Sequence, residues 1–348
     1  MKKTPIILLF TMLLGLFASC STDVNLYADY KDIPVVYGLL DATQDTNYVR
    51  INRAFSGSND NPINANEVAL IADSCNYPGK LDARICRYGK TASSFAEYTL
   101  EDFLTLDTIT IHNKQEGTFY SPNQLVYYIV SDQSNQNRAF FKTNTSSKSY
   151  KYRLEIFKDN DTITSETSLV GGENFAILNN LVVFSSEPSD KSRKMSFKPA
   201  DNAEMYDVKM EFNYQEKRGS QLTNQKVSWS YGSKGVDEYL FEDGFYYVNY
   251  LENTLFNLLA TKIGTDTVNV ERYFGDFVIS VAAGGGELYN YIQINSTGGN
   301  LSQTIPDYTN VYGGYGVFSS RVNLRKVVNL SALTQTDLYN QPWGFKQQ

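Results

Sequence analysis

The chain has 348 residues, with 38 Asp and Glu against 31 Lys and Arg, one histidine and three cysteines. The acidic balance argues against nucleic acid as a partner, because phosphate contacts need clustered Lys and Arg, and a single histidine excludes a multi-histidine metal site. Tyr (26) and Phe (20) outnumber Met (5) and Trp (2), and aromatic and β-branched residues suit half-buried pleated surfaces, so composition favours a mainly β fold.

The first nineteen residues carry the three parts of an export signal: Lys2 and Lys3, an apolar run Ile6–Phe17, and the small residues Ala18 and Ser19 before Cys20. A membrane span needs about 20 apolar residues, so cleavage is expected and residues 1–19 are set aside from the fold. Leu16-Phe17-Ala18-Ser19-Cys20 resembles the bacterial lipobox, with Phe17 where Leu is usual. The resemblance implies that the Cys20 thiol is acylated, a palmitate-type anchor, and that Cys20 becomes the mature N-terminus. Several acyl chains hold a protein stably at about 0.8 kcal/mol per buried methylene. Asp23 in Ser21-Thr22-Asp23 is a lone acidic cue for surface export, so the periplasmic and surface faces both stay open. Cleavage removes two lysines and no carboxylate, which takes the formal charge from −7 to −9.

Residues 20–33 read as a tether and residues 34–190 as a first β-sandwich. Val35–Leu40 is near-continuously apolar, and Tyr48–Arg53 alternates as a strand with one wet face should, with Gln44–Asn47 as the turn between them. Glu67–Ala72 and Leu81–Tyr88 are strand-like and flank the turn Asn76-Tyr77-Pro78-Gly79, beside which stand Cys75 and Cys86. In an oxidising envelope these two cysteines form either a disulfide, contributing about 2–3 kcal/mol, or a pair of buried thiols. Strands are also expected at Thr108–His112, Gln124–Val130, Tyr150–Phe157 and Asp161–Leu169, with a polar loop at Ser131–Ser149. Ser185–Ser196 reads as a connection to a second domain over residues 191–348, on the prior of about 150 residues per domain. There Phe197-Lys198-Pro199-Ala200 followed by Tyr206-Asp207-Val208 resembles the opening of fibronectin type III domains, which implies a second immunoglobulin-like sandwich with an inward tyrosine. One amphipathic helix is expected within it, over Gly244–Ile263: Phe245, Val248, Leu251, Leu255 and Leu258 fall three or four apart, with Asp243 as N-cap and Gly264 as the stop. Phe277–Val281 returns to strand, and Leu288–Ile294 is ambiguous.

Nothing in the chain assembles recognisable chemistry. His112 ends an alternating run, where a solvent-facing strand residue is expected rather than a catalytic base. Gly284-Gly285-Gly286 lacks the Lys and Ser/Thr of a phosphate loop, and Asp159 and Asp161 lack the glycine and closing glutamate of a calcium loop. The expectation is therefore a non-enzyme without cofactor or metal; an envelope hydrolase using an unnamed carboxylate pair is the remote alternative. Asp107-Thr108-Ile109, Asp161-Thr162-Ile163 and Asp266-Thr267-Val268 resemble the Asp-Ser/Thr-aliphatic acceptor of O-glycosylation in Bacteroidetes, which makes Thr108, Thr162 and Thr267 glycan candidates; the alternative is that Asp-Thr simply opens strands.

Val24-Asn25-Leu26, Pro34-Val35-Val36-Tyr37-Gly38-Leu39, Tyr152-Arg153-Leu154-Glu155-Ile156 and Asn310-Val311-Tyr312-Gly313-Gly314-Tyr315-Gly316 are similar to the Bacteroidetes outer-membrane lipoproteins defined by domain of unknown function 4249. Asn323–Gln348 departs from their shorter ending. The resemblance implies an outer-membrane location and a TonB-dependent β-barrel receptor as partner, with no assigned activity. Tyr308, Tyr312 and Tyr315 interleave with glycines that tolerate positive φ, and form either a contact loop or a turn sealing the sandwich edge. The expected function is a lipid-anchored binding or accessory component. The alternative is a fimbrial subunit or anchor, in which strand addition follows a cut after an arginine such as Arg50 or Arg53.

Overall fold

Alternating burial along most segments gives the chain its layers, and in the computed structural model 57% of the described residues are strand and 12% helix, the mainly β fold that composition pointed to. The structure describes residues 32–54, 75–93, 95–112, 123–132, 134, 139–187, 190–263, 270–296 and 308–346.

The first core lies between two sheets. One contains β1 (Pro34–Leu40), β2 (Thr46–Arg53), β5 (Asp107–His112) and β6 (Asn123–Val130); the other contains β3 (Asp82–Thr91), β4 (Thr99–Thr105), β7 (Lys148–Lys158) and β8 (Asp161–Thr167). Val36, Leu40, Val49, Ile51, Tyr127 and Ile129 from the first sheet meet Ile85, Tyr152, Leu154 and Ile156 from the second. Tyr152 is fully buried, and its hydroxyl bonds to backbone groups of Phe140 and Lys142, pinning the 139–147 segment over the core.

The second core lies under β11 (Met205–Arg218), β12 (Gln221–Gly235), β15 (Val270–Gly284) and β17 (Tyr315–Leu330). Tyr206, Val208, Met210, Phe212, Ile279 and Val281 point inward from these strands. Opposite them pack β10 (Ser192–Phe197), β14 (Phe245–Leu251) and two helices, α1 (Thr254–Ile263) and α3 (Ala332–Asn340), while β13 (Leu240–Glu242) is exposed and pairs with β14 at the edge. Tyr206 is the inward tyrosine expected from Phe197-Lys198-Pro199-Ala200: its hydroxyl accepts the Ala200 N–H at 2.9 Å, and its ring meets Phe197 edge-on at 4.8 Å.

Strand β17 belongs to both halves. Its first part, Tyr315–Ser320, pairs in parallel with β1, and its second part, Arg321–Val328, pairs antiparallel with β15; Asn329 and Leu330 then meet β9 (Leu181–Val182). Even-numbered side chains point inward throughout, so Phe318 fills the first core and Val322 and Val328 the second. β16 (Val311–Tyr312) pairs with β8 and adds Val311 to the first core. A division at 190/191 therefore does not separate the cores, because residues 311–320 complete the first sandwich. Gly316 makes the β1 pairing feasible: its φ is +110°, and any Cβ there would strike the Val36 carbonyl.

Several expectations are corrected. Gly244–Ile263 is not one helix: Phe245–Leu251 is β14, and only Thr254–Ile263 is helical. Asp243 (φ 51°) and Gly244 (φ 83°) form the β13–β14 hairpin turn, so Asp243 caps nothing, and Tyr246, Val248 and Tyr250 alternate against the core. Gly264 lies outside the described residues. The helix is not the only one: Leu288–Ile294 lies within α2 (Gly286–Ser296), and α3 follows β17. Cys75 and Cys86 are unbonded. Cys86 faces the outer side of β3 under Arg84 and Glu155, whereas the Cys75 carbonyl is held against β2 by Arg53 N–H and the Asn52 amide. The two residues serve different sheets. Burial, then the Glu155 charge, pushes the Cys86 thiol up.

Candidate functional site

A groove of 860 Å³ opens on the outer side of the shared sheet, where β1 ends at Leu40 and β17 runs on. Period-two alternation sends Arg321, Asn323 and Arg325 to this side while Val322 and Leu324 turn to the core. Strand register supplies the rest of the floor. Arg325 stands beside Ser280, and Ser280 beside Lys209; in the next row Asn323, Ala282 and Asp207 are neighbours. The central strand thus offers small side chains between two cationic strands. The β1–β2 turn forms the end wall with Asp41, Gln44 and Thr46, and Tyr48, half-exposed, closes it.

Charge in this groove is unevenly engaged. Asp207 accepts the Ser230 and Ser233 hydroxyls at 3.0 Å each, and Asp41 accepts from the backbone and hydroxyl of Thr43. The side chains of Arg321 and Lys209 make no hydrogen bond or close ion pair among the described residues, although the Lys209 charge acts on Glu211, and the nearest carboxylate to Arg325 is that same Glu211 at 3.9 Å. Glu211 is already bonded to Lys226 at 3.1 Å, and although burial pushes its carboxyl up, that bond brings it below the ordinary value.

The other exposed face of interest, outside β3, β4 and β7, is the opposite case. Arg84 lies 5.1 Å from the Phe103 ring and 5.2 Å from the Phe157 ring and is bonded to Glu155 at 2.7 Å; Arg153 covers Tyr88 at 4.9 Å and is bonded to Glu166. Those cations already have carboxylates and rings for partners.

The residues singled out from sequence do not converge. Tyr312 and Tyr315 flank the β16–β17 turn, 80% and 45% exposed, but Tyr308 turns away to Asn290. The glycines between them are structural, since a Cβ on Gly314 would stand 2.7 Å from the Pro34 carbonyl oxygen. Thr162 is exposed at the start of β8 and Thr108 is half-buried on the edge strand β5; Thr267 and Cys20 lie outside the described residues. His112 is exposed and bonded to Asn123 at 2.8 Å. Asp159 (φ 53°) occupies the β7–β8 turn, and among the described residues no three His, Cys, Asp or Glu side chains could together hold a metal. Gly285 joins β15 to α2 and donates to the Ser320 carbonyl. Arg50 and Arg53 sit in β2, which pairs with β1 and β6, and a cut there would withdraw Val36 and Leu40 from the core.

Sequence reasoning missed the groove. Arg321-Val322-Asn323-Leu324-Arg325 carried the signal of a strand with one polar face, but the opposing residues come from near positions 45, 208 and 281. No family model matches this chain, and no curated protein matches it.

Proposed function

We propose that this protein is a lipid-anchored, non-catalytic binding component of the bacterial outer membrane, working beside a TonB-dependent β-barrel receptor in uptake or envelope assembly. The groove carries the reading: an acidic chain collects Arg321, Arg325 and Lys209 around small side chains beside the open ring of Tyr48, and among the described residues holds neither Arg321 nor Lys209 in a hydrogen bond or close ion pair, while the groove's own Asp41 and Asp207 are engaged by hydroxyls. Cations not locked in close ion pairs at a preformed concave site are what a ligand-binding surface needs, because a ligand then meets donors that no bonded carboxylate must release. The anchor rests on Leu16–Cys20, and the outer-membrane address and the receptor rest on the resemblance to the family of domain of unknown function 4249.

The test is a mild-detergent pull-down of the tagged chain from its native envelope, with mass spectrometry of its partners and of its own N-terminus. The expected outcome is an acylated Cys20 and a co-purifying β-barrel receptor. A chain in the soluble fraction with an unmodified N-terminus sinks the anchored reading, and ladders of the chain itself, cut after an arginine, replace it with the fimbrial one.

A further inference from the structure

The geometry points to an acidic saccharide, one bearing carboxylate or sulfate groups, as the ligand of the groove; this rests on the groove being the binding site proposed above. Three features define that chemistry. First, Arg325, Ser280 and Lys209 stand in one cross-strand row on neighbouring strands. Adjacent strands are about 4.8 Å apart, which puts the two cationic strands about 10 Å from each other with only a hydroxymethyl between. An oxyanion set over Ser280 lies between a guanidinium and an ammonium and can accept from the serine hydroxyl, and charge-assisted bonds of this kind are the strong ones.

Second, Arg321 lies four residues from Arg325 on the same face of β17. At about 3.3 Å per residue the two Cα atoms are roughly 13 Å apart, a wider spacing than the cross-strand row. A ligand with anionic groups at intervals along its length engages both positions, which favours an oligomer over a lone phosphate or carboxylate. Third, the lining around the cations is polar. Asn323 between the two arginines and Gln44 and Thr46 on the end wall present amides and a hydroxyl, the donors and acceptors suited to sugar hydroxyls, Asp41 and Asp207 are carboxylates already engaged by hydroxyls, and Tyr48 offers a half-exposed ring on which a pyranose face can lie. The second depression at this waist, 500 Å³ and sharing Val322 and Asn323, has Lys142 and Glu173 among its lining and no such cationic row.

Titration calorimetry of the mature chain tests this with three probes: trigalacturonate, its neutral methyl ester and a sulfated oligosaccharide of similar length. The acid or the sulfated probe, or both, should bind and weaken with salt, while the ester binds at least about tenfold less tightly, the loss expected for one charge-assisted contact. Binding of the acid alone identifies a carboxylate source, and binding of the sulfated probe alone a sulfate source. Arg325→Gln with Lys209→Gln, at exposed positions that leave the melting curve in place, should lower affinity by about tenfold or more. Ser280→Val should weaken binding through the blocked floor. Equal affinity for acid and ester, with Tyr48→Ala weakening both, overturns charge selection while leaving the groove a ligand site. Binding unchanged in the double variant, or no binding by any probe, overturns the proposal outright; the envelope pull-down then still decides the accessory role.

Discussion

Replacing Arg272 by methionine should release the C-terminal segment from the second sandwich. Arg272 is 1% exposed; its Nε and Nη2 hold Glu216 Oε2 at 2.9 and 2.7 Å, and its Nη1 donates to the Trp343 carbonyl at 2.5 Å. Around it the backbone of Gly344 and Lys346 bonds to Arg272, and Trp343 stacks on Phe256 of α1. Breaking a buried ion pair by removing one partner costs about 3–5 kcal/mol, because the other charge is left without compensation. Glu216 retains Arg218 at 2.7 Å, an arginine that is half-exposed, so the loss should fall near the low end, about 3 kcal/mol. For folding units of this size each kcal/mol moves the midpoint by about 2–4 °C, which makes a fall of about 6–12 °C in a calorimetric melt. Arg218→Met, at a solvated position, should cost about 1 kcal/mol or less. Adding Glu216→Gln to Arg272→Met should cost less than the sum of the single changes, since the second change removes the stranded charge. An Arg272→Met protein melting within about 1 °C of the parent would refute the coupling of Trp343 to the core through this guanidinium.

Three further outcomes are expected. Gly316→Ala should cost about 3 kcal/mol or more or prevent folding, because a Cβ at φ +110° meets the Val36 carbonyl, whereas Gly219→Ala, on an open turn, should cost far less; chemical denaturation of both variants compares them. A chromogenic thiol reagent should find Cys75 and Cys86 unreactive in the native protein and titrate both in denaturant without reductant, whereas thiols that appear only after reduction would establish a bridge. Burial pushes the Glu216 carboxyl up, yet its bonds from Arg218 and Arg272 bring it below its ordinary 4.5. The stabilisation from such a depressed carboxyl is present above the unfolded value and lost as pH falls through the folded one. Melting temperature should therefore hold above pH 4.5 and drop below it, and the gap between parent and Arg272→Met should narrow with acid.

Local patterning was legible in the sequence wherever one face is wet. β1, β2, β5, β6 and β7 were each anticipated to within two residues, since alternation of the kind in Tyr48-Val49-Arg50-Ile51 has period two and no helical rival. Phe245–Leu251 misled because Phe245, Val248 and Leu251 also satisfy a three-to-four spacing that continues into the true helix at Leu255 and Leu258; the decisive signs were the Asp243-Gly244 turn and the aromatic alternation of Tyr246 and Tyr250. The sharing of β17 between two cores was illegible for a different reason. Pairing Val35 with Tyr315 spans 280 residues, and parallel partners leave no hairpin signal. The groove inherits that difficulty, since its floor depends on which strands become neighbours.

Hydrogen–deuterium exchange on the mature chain, with and without saturating trigalacturonate and, in parallel, the sulfated oligosaccharide, tests the central claim most directly. Slowed exchange should appear together in 41–48, 207–209, 280–282 and 321–325, the four segments that meet in the groove. Slowing confined to the Tyr312–Tyr315 turn or to the outer face of β3, β4 and β7, or no slowing at all, would contradict a binding site between the sandwiches.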